Sequence, residues 1–565
     1  MSFKGPKGPR RGLGELLVIL AALWIVLMLT MTTPPLDQGL ERVPNKRVYI
    51  PFENYNSSMP MKDPVVRFIR DVVAKRYLGK SMNGSDALDV AGDWNVLVTQ
   101  YHEGGVIGEG SGAGPVLSLA LEAAVNGSLD PKMGYFELNY SRFKVQFKSP
   151  FEYAFIEYRG EAVVTVGDIV PVWKMDKEMV SQAVERAKQY LIRVIDPEVQ
   201  GAHKYYYAQD DTFEDRIHCI YTASLVFSLL RIYDFGHDEG LWTQIESCSE
   251  FLLSMQNKEK GKAKGAFYYS YYPEDGVKEE RYVVGTTSKT IFTLIMLYER
   301  TGEEKYLTAA RSAADWLLTM QEDDGSMQSY IRYEAGVWFG STQFSYLFNG
   351  QVLSALSRMY VLTKDQDYLD AAQRIAELFA GKVERYGYYL GDDYRDPNPV
   401  SSSWVILSLF DFYKASGQQR YLDIVLNNSA SLLTRQYTNS SRILDYGRWD
   451  ASETSSGNGW LCEVFVELFR YLHENGFGGL EKYEDAITRV TRWILQNTYT
   501  LQNSNLVKNP YMAEGGAFWH DSERYVRTDS VCHAVNGLTR MYEFYGNGTL
   551  ISVTPDPDPL ADMLG

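Results

Sequence analysis

The sequence predicts a mainly α-helical protein whose largest part is an (α/α)6 toroid, a closed ring of six helical hairpins. From residue 176 onward, apolar residues recur at helical spacing in twelve successive segments. The connections between the segments alternate between short turns, often containing glycine, and loops of roughly 20–30 residues rich in Tyr, Trp, Gly and Asp. This alternation predicts a ring with all short turns at one end and all long loops at the other.

A phrase repeated at three of the short turns supports the ring. Tyr298, Tyr360 and Tyr413 are each followed eight residues later by a Tyr-Leu pair. Such copies indicate an internal repeat whose unit, a helical hairpin, cannot bury its apolar face alone. We therefore expect the paired tyrosines to pack at the short-turn end, and the long loops to surround a central cleft.

Five segments divide the chain. In order they are a cytoplasmic basic tail (1–15), a transmembrane signal-anchor (16–36), a small α+β domain (37–175), the toroid (176–546) and a flexible C-terminal tail (547–565). Within the α+β part, 143–158 and 161–173 carry the β-branched and aromatic residues of a hairpin. The glycine-rich stretch 105–115 is expected to be a loop or tight turns, because it lacks the Lys-Ser/Thr of a phosphate-binding loop.

The N-terminal segment predicts export. Four basic residues precede the uncharged stretch from Leu16 to Leu36, which is long enough to cross a hydrocarbon layer of about 30 Å. The basic flank should remain cytoplasmic and the rest of the chain should lie outside or in a lumen. A cleaved signal peptide is the alternative, although no small-x-small site follows the apolar run. Seven N-x-[ST] sequons agree with an exported glycoprotein.

Composition narrows the possible functions. The chain has 72 acidic and 56 basic residues, which argues against general nucleic-acid binding. Only 4 Cys and 7 His argue against a disulfide scaffold or a multi-metal enzyme, and no cofactor is predicted. The 41 tyrosines fall partly in the repeat and partly in the long loops. Loop tyrosines facing a cleft can stack on sugars, with packing of the rim as the alternative.

The stretch 309–450 resembles the C-terminal helical domain of D-glucuronyl C5-epimerases. The similar phrases are AARSAADWLLTMQEDDGSM, WFGSTQFSYLFNGQVLSALSRMYVLTKDQDYLDAA, GDDYRDPNPVSSSWVILSLFDFY and RILDYGRWD, in that order. The resemblance implies a single-pass protein that removes and returns a proton at C5 of uronic acid residues in a glycan. Such a site must neutralise the carboxylate and place a base and an acid on opposite faces of the sugar.

The resemblance also implies site residues. The family's Glu-Tyr pair falls on Asp393-Tyr394, its Tyr-Asp falls in reversed order on Asp445-Tyr446, and its Arg-Trp-Asp-Tyr falls on Arg448-Trp449-Asp450 with Ala451 in the last place. Tyr394 and Tyr446 are then the expected proton-transfer pair, and Arg448 is expected to hold the carboxylate. Further residues are predicted to contact the substrate: Trp449, Trp338, Tyr389, Trp519, His520 and Arg524. A basic lining against the net negative charge is expected from Arg332, Arg385, Arg395, Arg448, Arg524 and Arg527.

Other interpretations remain open. Paired carboxylates would also serve a toroid glycoside hydrolase or a polysaccharide lyase, and the candidates are Asp392, Asp393, Asp445, Asp450 and Glu453. A non-catalytic glycan-binding or envelope-assembly module is a third possibility. Cys462, Cys532 and His533 could bind zinc, the cysteines (Cys219 included) could form a disulfide, or they could be buried free thiols. The sequence does not indicate the oligomeric state.

Overall fold

The computed structural model describes residues 91–553, apart from 103–104, 131–141, 149–161, 166–171, 173, 209, 342, 441–444, 501–502, 505–506 and 521–523, together with Phe68, Ile69, Val72, Lys75 and Arg76. Contacts divide the chain into two compact units. The first contains residues 63–166 and the second contains residues 167–557.

The first unit is an antiparallel sheet with a helix. Its strands are β1 (Ala91–His102), β2 (Gly105–Val116), β3 (Arg142–Lys148) and β4 (Ala162–Thr165), in the order β2-β1-β3-β4, and helix α1 is Leu117–Ser128. Val145 pairs with Ala162, so the two segments predicted to form a hairpin are neighbouring strands. Residues 159–160, between the two predicted hairpin segments, lie outside the described residues.

The glycine-rich stretch 105–115, predicted to be a loop, is strand β2, so that prediction is wrong. Gly108, Gly110 and Gly112 alternate along the strand and therefore share one face. A Cβ added at Gly110 would lie 2.1 Å from the carbonyl oxygen of Ala124 in α1. The glycines thus allow the helix to lie directly against the strand backbone.

Among its described residues the second unit contains twelve long helices, as predicted. They are α2 (Lys177–Arg193), α3 (Cys219–Gly236), α4 (Trp242–Ser254), α5 (Val284–Thr301), α6 (Glu304–Thr319), α7 (Tyr346–Thr363), α8 (Gln366–Tyr386), α9 (Pro399–Ser416), α10 (Gln419–Leu433), α11 (Ser455–Glu474), α12 (Glu481–Gln496) and α13 (Thr528–Met541). The inner helices α3, α5, α7, α9, α11 and α13 each contact the next, and α13 contacts α3. The ring is therefore closed, and the predicted toroid is confirmed.

Short strands lie in the connections at the long-loop end and at the two ends of the unit. They are β5 (Lys174–Asp176), β6 (Tyr205–Tyr207), β7 (Thr212–Phe213), β8 (Ile217–His218), β9 (Ser270–Tyr272), β10 (Val277–Lys278), β11 (Arg281–Val283), β12 (Tyr330–Glu334), β13 (Val337–Ser341), β14 (Val526–Arg527) and β15 (Thr549–Ser552). They form the sheets β10-β9-β8, β11-β12-β13, β14-β6-β7 and β15-β5.

The repeated tyrosines stabilise the short turns. Tyr306, Tyr368 and Tyr421 are buried in the outer helices. The carbonyl oxygens of the partner tyrosines, Tyr298, Tyr360 and Tyr413, accept the hydrogen bonds that end the inner helices. The residues that donate these bonds are Gly302, Lys364 and Gly417, all in the left-handed conformation. Glycine adopts this conformation readily because it has no Cβ, whereas the Cβ of Lys364 makes the same conformation less favourable.

The sixth hairpin is closed by strand pairing instead of a turn. Helices α13 and α2 are its two members, and they lie at opposite ends of the toroid sequence. Strand β15, which follows α13, pairs antiparallel with β5, which precedes α2. The tail predicted to be flexible from residue 547 is therefore a strand at Thr549–Ser552, because its backbone groups complete this ladder.

The predicted membrane anchor (16–36) lies outside the described residues. Among the helices that the structure describes, none is long and apolar enough to cross a bilayer.

Candidate active site

Four side chains meet at the centre of the ring. Lys289, Trp404, Trp460 and His533 are each the sixth residue of their helix, α5, α9, α11 and α13. The two indoles stack with their ring centroids 4.0 Å apart. The Lys289 Nζ lies 5.2 Å from the Trp460 ring centre and 5.8 Å from that of Trp404. A cation beside an indole is attracted by the ring quadrupole, which holds the lysine in place.

His533 is hydrogen-bonded to a carboxylate. Its Nδ1 lies 2.7 Å from Oε2 of Glu463, and its ring meets Trp460 edge-on at 5.1 Å. The second oxygen of Glu463 accepts a hydrogen bond of 3.2 Å from Asn536. Glu463 therefore fixes the orientation of the imidazole.

Electrostatics keep Glu463 ionised and disfavour the charge on Lys289. Burial would raise the pKa of Glu463, but the hydrogen bond from His533 and the charges of His533, Lys289 and Arg231 hold that pKa below its usual range. Burial lowers the pKa of Lys289, and Glu463 opposes this shift. An ionised carboxylate can only accept, so His533 donates from Nδ1 and its neutral form carries a lone pair on Nε2.

An ion pair lies one helical turn nearer the long loops. Arg527 contacts both carboxylate oxygens of Asp529, and Asp529 also accepts a hydrogen bond of 3.0 Å from Ser456. The guanidinium of Arg527 lies over the ring of Trp519, at 4.2 Å. Burial would raise the pKa of Asp529, but Arg527 holds that pKa low. Asp529 is thus an anion at neutral pH.

The long-loop rim continues this polar surface. The buried His218 lies 3.2 Å from Glu214 and meets Tyr221 and Tyr269 edge-on. Burial would raise the pKa of Glu214, but the hydrogen bonds from His218 and Arg216 lower it to about 2. The rim and the central side chains are connected, because the Arg527 guanidinium lies 5.8 Å from the Tyr221 ring centre.

A cavity of about 490 Å³ extends from Lys289, Trp460 and Glu463 toward Arg300 and Lys414 near the short turns. This is the end opposite to the predicted cleft. Five inner helices carry a charged side chain as their thirteenth residue: Arg231, Arg358, Asp411, Glu467 and Arg540. Opposite charges among these are paired, as in Arg231–Glu467 at 3.1 Å and Arg358–Asp411 at 2.8 Å. The cavity walls are therefore largely neutralised.

The predicted tyrosine pair is not brought together by the structure. The Tyr394 hydroxyl lies 3.1 Å from Ser345 at the start of α7, and its ring is exposed. Tyr446 packs against Val553, and its ring lies 5.4 Å from the guanidinium of Arg492 in the outer helix α12. The two tyrosines thus lie in different surroundings.

The carboxylates around them stabilise loops. Asp393 accepts a hydrogen bond of 2.9 Å from the backbone of Phe344, and Asp392 accepts one of 2.6 Å from Tyr346. Asp445 lies 2.9 Å from Arg448. Asp450 lies 3.1 Å from Arg435. These contacts join the loops to helix ends or to one another.

The predicted binding residues are mostly engaged elsewhere. Trp449 is fully buried and stacks on Phe465, Tyr389 lies under Arg435, and Trp338 packs between Tyr282 and Tyr333. His520 lies 3.2 Å from Glu453, and Arg524 lies over Phe518. Of this set, Trp519 contacts the Arg527–Asp529 pair.

The predicted basic lining is largely neutralised. Arg332, Arg395, Arg448 and Arg527 each form an ion pair, with Glu334, Asp392, Asp445 and Asp529 respectively. Arg385 and Arg524 lie over aromatic rings. Of the six, Arg527 belongs to the polar surface described above. The cation at the centre is instead Lys289.

The four cysteines are buried free thiols, which is one of the three alternatives left open by the sequence, and they form no disulfide. The Cys219 sulfur lies 3.7 Å from Thr290, and burial raises the pKa of Cys462 to about 12. Within the described ranges no group of three or more His, Cys, Asp and Glu side chains is arranged to hold a metal. Cys462, Cys532 and His533 therefore do not form the zinc site that was considered, and His533 contacts Glu463.

Sequence reasoning missed Lys289, Glu463, Trp404 and Trp460. One signal was available: Lys289 is the single charged residue between Arg281 and Glu299. A lone charge in the middle of a buried helix requires either a partner or a function.

Comparison with known proteins supports the toroid. Residues 245–357 match the family model of the ulvan lyase N-terminal domain. The solved structure of a cellobiose 2-epimerase from Bacillus thermoamylovorans B4167 is 13% identical, covers 65% of this chain and 99% of that one, and superposes with a TM-score of 0.50. At this identity the likeness establishes the fold.

Two further structures have lower TM-scores. An α-1,6-mannanase from Salegentibacter sp. HEL1_6 is 13% identical, with 64% of this chain and 98% of that chain covered and a TM-score of 0.46. An unsaturated glucuronyl hydrolase from Streptococcus agalactiae is 15% identical, with 66% and 94% covered and a TM-score of 0.48.

Proposed function

We propose that this chain is a glycan-acting enzyme that removes and returns a proton at C5 of uronic acid residues, as a C5-epimerase does. The observation that carries the proposal is the His533–Glu463 pair at the centre of the toroid, beside Lys289 and two stacked indoles. In keeping with the N-terminal sequence, we also propose an exported, membrane-anchored enzyme whose partner is a uronic-acid-containing glycan.

His533 is the base in this proposal. Glu463 fixes the tautomer, so the lone pair of Nε2 is available to take the C5 proton. The C–H electron pair moves into the carboxylate, which becomes a dianion. A histidine base whose other nitrogen is hydrogen-bonded to an orienting carboxylate is a common arrangement in general-base catalysis.

Lys289 is the cation and the acid. It comes from α5 and His533 from α13, and these helices are not neighbours in the ring, so the two groups approach the centre from different sides. The ammonium group stabilises the developing charge and can return a proton to the opposite face of C5. A lowered pKa makes that transfer easier near neutral pH. The buried, mutually stacked indoles of Trp404 and Trp460 hold Lys289 beside them.

Hydrolysis is disfavoured by the same electrostatics. A glycoside hydrolase needs a protonated carboxylic acid as well as a carboxylate. Glu463 and Asp529, the carboxylates nearest the centre, both have pKa values below their usual range. Neither is therefore suited to act as a general acid at neutral pH.

A polysaccharide lyase is the second candidate, favoured by the match to the ulvan lyase N-terminal domain. Elimination begins with the same C5 proton transfer, but the electron pair then expels the glycosidic oxygen at C4. Incubation with uronic-acid glycans in D₂O, followed by NMR, separates the candidates. Epimerisation predicts deuterium at C5 in intact chains, and elimination predicts unsaturated ends. A non-catalytic binding module would give neither change.

A further inference from the structure

Arg281 is held rigidly at the long-loop rim. Its guanidinium carbon lies 4.9 Å from the Tyr269 ring centre and 4.8 Å from the Tyr330 ring centre. The side chain is half-buried, and its buried Nε donates to no acceptor among the described residues. A guanidinium stacked on two rings loses little further entropy when it binds a ligand.

Arg281 differs from the other arginines of this end. Within the part of the chain that the structure describes it forms no ion pair, whereas Arg216, Arg395, Arg448 and Arg527 each contact a carboxylate. An arginine fork presents its donors in the geometry that suits carboxylate and sulfate groups. Arg281 is therefore an arginine preorganised for an anion.

A second arginine faces the same way. Arg281 of β11 and Arg332 of β12 are direct partners in the antiparallel ladder, so their side chains lie on one face of the sheet. Like charges directly opposite each other are destabilising unless an anion lies between them. The acidic groups nearby are Glu334, which lies 3.3 Å from the half-exposed Arg332, and Glu279, which accepts hydrogen bonds from Ser270 and Arg216.

The sheet face borders the polar long-loop rim. Tyr269, which stacks on Arg281, meets His218 edge-on at 5.2 Å. Strand β11 leads directly into α5, which carries Lys289. Lys289 follows Arg281 by three strand steps of ~3.3 Å and five helical steps of ~1.5 Å, so the two residues lie no more than about 17 Å apart along the backbone. An extended glycan chain can bridge that distance.

We propose that this face of the β11-β12-β13 sheet is a subsite for the acidic group, carboxylate or sulfate, of another residue of the glycan whose reacting residue lies at the centre. The guanidinium of Arg281 binds the anion, and the rings of Tyr330 and Phe339, on the same face, contact the sugar. The inference rests on the proposed function for the presence of a glycan, and it adds that the chain recognised is acidic beyond the reacting residue.

Calorimetric titration tests the subsite without turnover. The ligands are a glucuronic acid oligosaccharide, the corresponding neutral glucose oligosaccharide and a sulfated neutral oligosaccharide. The wild type should bind at least one acidic ligand more tightly than the neutral one, and the preferred acid identifies the source of the anion. Arg281→Gln should weaken acidic binding tenfold or more and leave neutral binding unchanged. Arg281→Lys, which keeps the charge but loses the fork, should fall between.

Arg420→Gln is the matched control, since Arg420 also lies over a tyrosine ring, at 4.5 Å, but in α10 at the short-turn end. It should bind all three ligands like the wild type, and circular dichroism should show that every variant is folded. Equal affinities of the wild type for the three ligands, no binding of any, or unchanged acidic binding by Arg281→Gln would overturn the subsite. Binding through Arg281 without deuterium exchange would contradict only the proposed reaction.

Discussion

The Nδ1 of His533 lies 2.7 Å from the Oε2 of Glu463, two residues on neighbouring inner helices of the ring. Because the pKa of Glu463 is held low, the carboxylate accepts and the imidazole donates. This relationship assigns the free lone pair to Nε2 and makes His533 the strongest candidate base among the described residues.

Replacing the carboxylate tests its orienting role. Glu463→Gln keeps the size of the side chain but removes the charge that fixes the tautomer, so turnover should fall by about 10²–10⁴ with little change in KM. Initial rates and KM on the active glycan would measure this. His520→Gln is the control, because His520 pairs with the exposed Glu453 at the rim. It should stay within about threefold of the wild type. Equal losses in both variants would contradict the assignment.

Replacing Lys289 by an apolar residue should make the protein more stable and inactive. Burial lowers its pKa, so Lys289→Met removes a poorly solvated charge and should raise the melting temperature by about 2–4 °C while abolishing turnover. Lys289→Arg should stay charged but fail to return the proton. Thermal unfolding and activity of both variants would measure this. A less stable but active Lys289→Met variant would show that the lysine is structural.

The lowered pKa of Lys289 also predicts a pH dependence of stability. The folded protein releases this proton before the unfolded chain, whose lysine has a pKa near 10.5. The unfolded state therefore binds more protons between the two pKa values, and the free energy of unfolding from this group rises with pH in that window. Urea unfolding across that range should show the rise in the wild type and its loss in Lys289→Met. Parallel curves for the two proteins would contradict the shift.

The thiols should be unreactive in the folded protein. Burial raises the pKa of Cys219, Cys248 and Cys462 to about 12, and that of Cys532 is raised further. A thiol reagent at pH 8 should label none of the 4 cysteines in the native state and all 4 after denaturation without reductant. Fewer than four labelled thiols in the unfolded chain would indicate a disulfide.

The strand pairing that closes the ring should contribute to stability. Ile551 of β15 is paired with Met175 of β5. Ile551→Pro removes a backbone donor and should cost about 1–3 kcal/mol, whereas Ile551→Val should cost less than about 1 kcal/mol. Thermal unfolding of the two variants gives the comparison. No difference between them would mean that β15 does not hold the terminal helices together.

Two glycines of β2 offer a matched pair. A Cβ at Gly110 would lie 2.1 Å from the Ala124 oxygen, whereas the nearest atom to a Cβ at Gly114 lies at 3.8 Å. Gly110→Ala should therefore destabilise the first unit by about 1–3 kcal/mol, and Gly114→Ala should be tolerated. Hydrogen exchange of β1 and β2 would report the difference, and equal protection in both variants would contradict the close packing.

The ring could be predicted from the sequence because its signals are local. Helical periodicity gives the helices, and the Tyr298 and Tyr306 spacing gives the repeat. The loop prediction for 105–115 is wrong because a high glycine content usually indicates a loop. In the structure the alternate glycines of β2 form the face against which α1 packs. The pairing of β5 with β15 could not be predicted from the sequence, because pairing between segments far apart in the chain leaves no local pattern.

The site was harder to predict because it is assembled from different helices. Lys289, Glu463 and His533 are far apart in sequence, and only the packing of the inner helices in the ring brings them together. The resemblance directed attention to loops instead, where Tyr394 and Tyr446 have separate partners. From the sequence, His533 stands out only as one possible zinc ligand beside Cys532, whereas the structure pairs it with Glu463.

Solvent deuterium incorporation tests the central claim most directly. Wild type and His533→Gln are incubated with the same uronic-acid glycan in D₂O, and NMR follows C5. The account predicts deuterium at C5 with the wild type and a rate at least about 10²-fold lower with His533→Gln, while both bind the glycan equally. Equal exchange by the two proteins, or chain cleavage by the wild type, would contradict it.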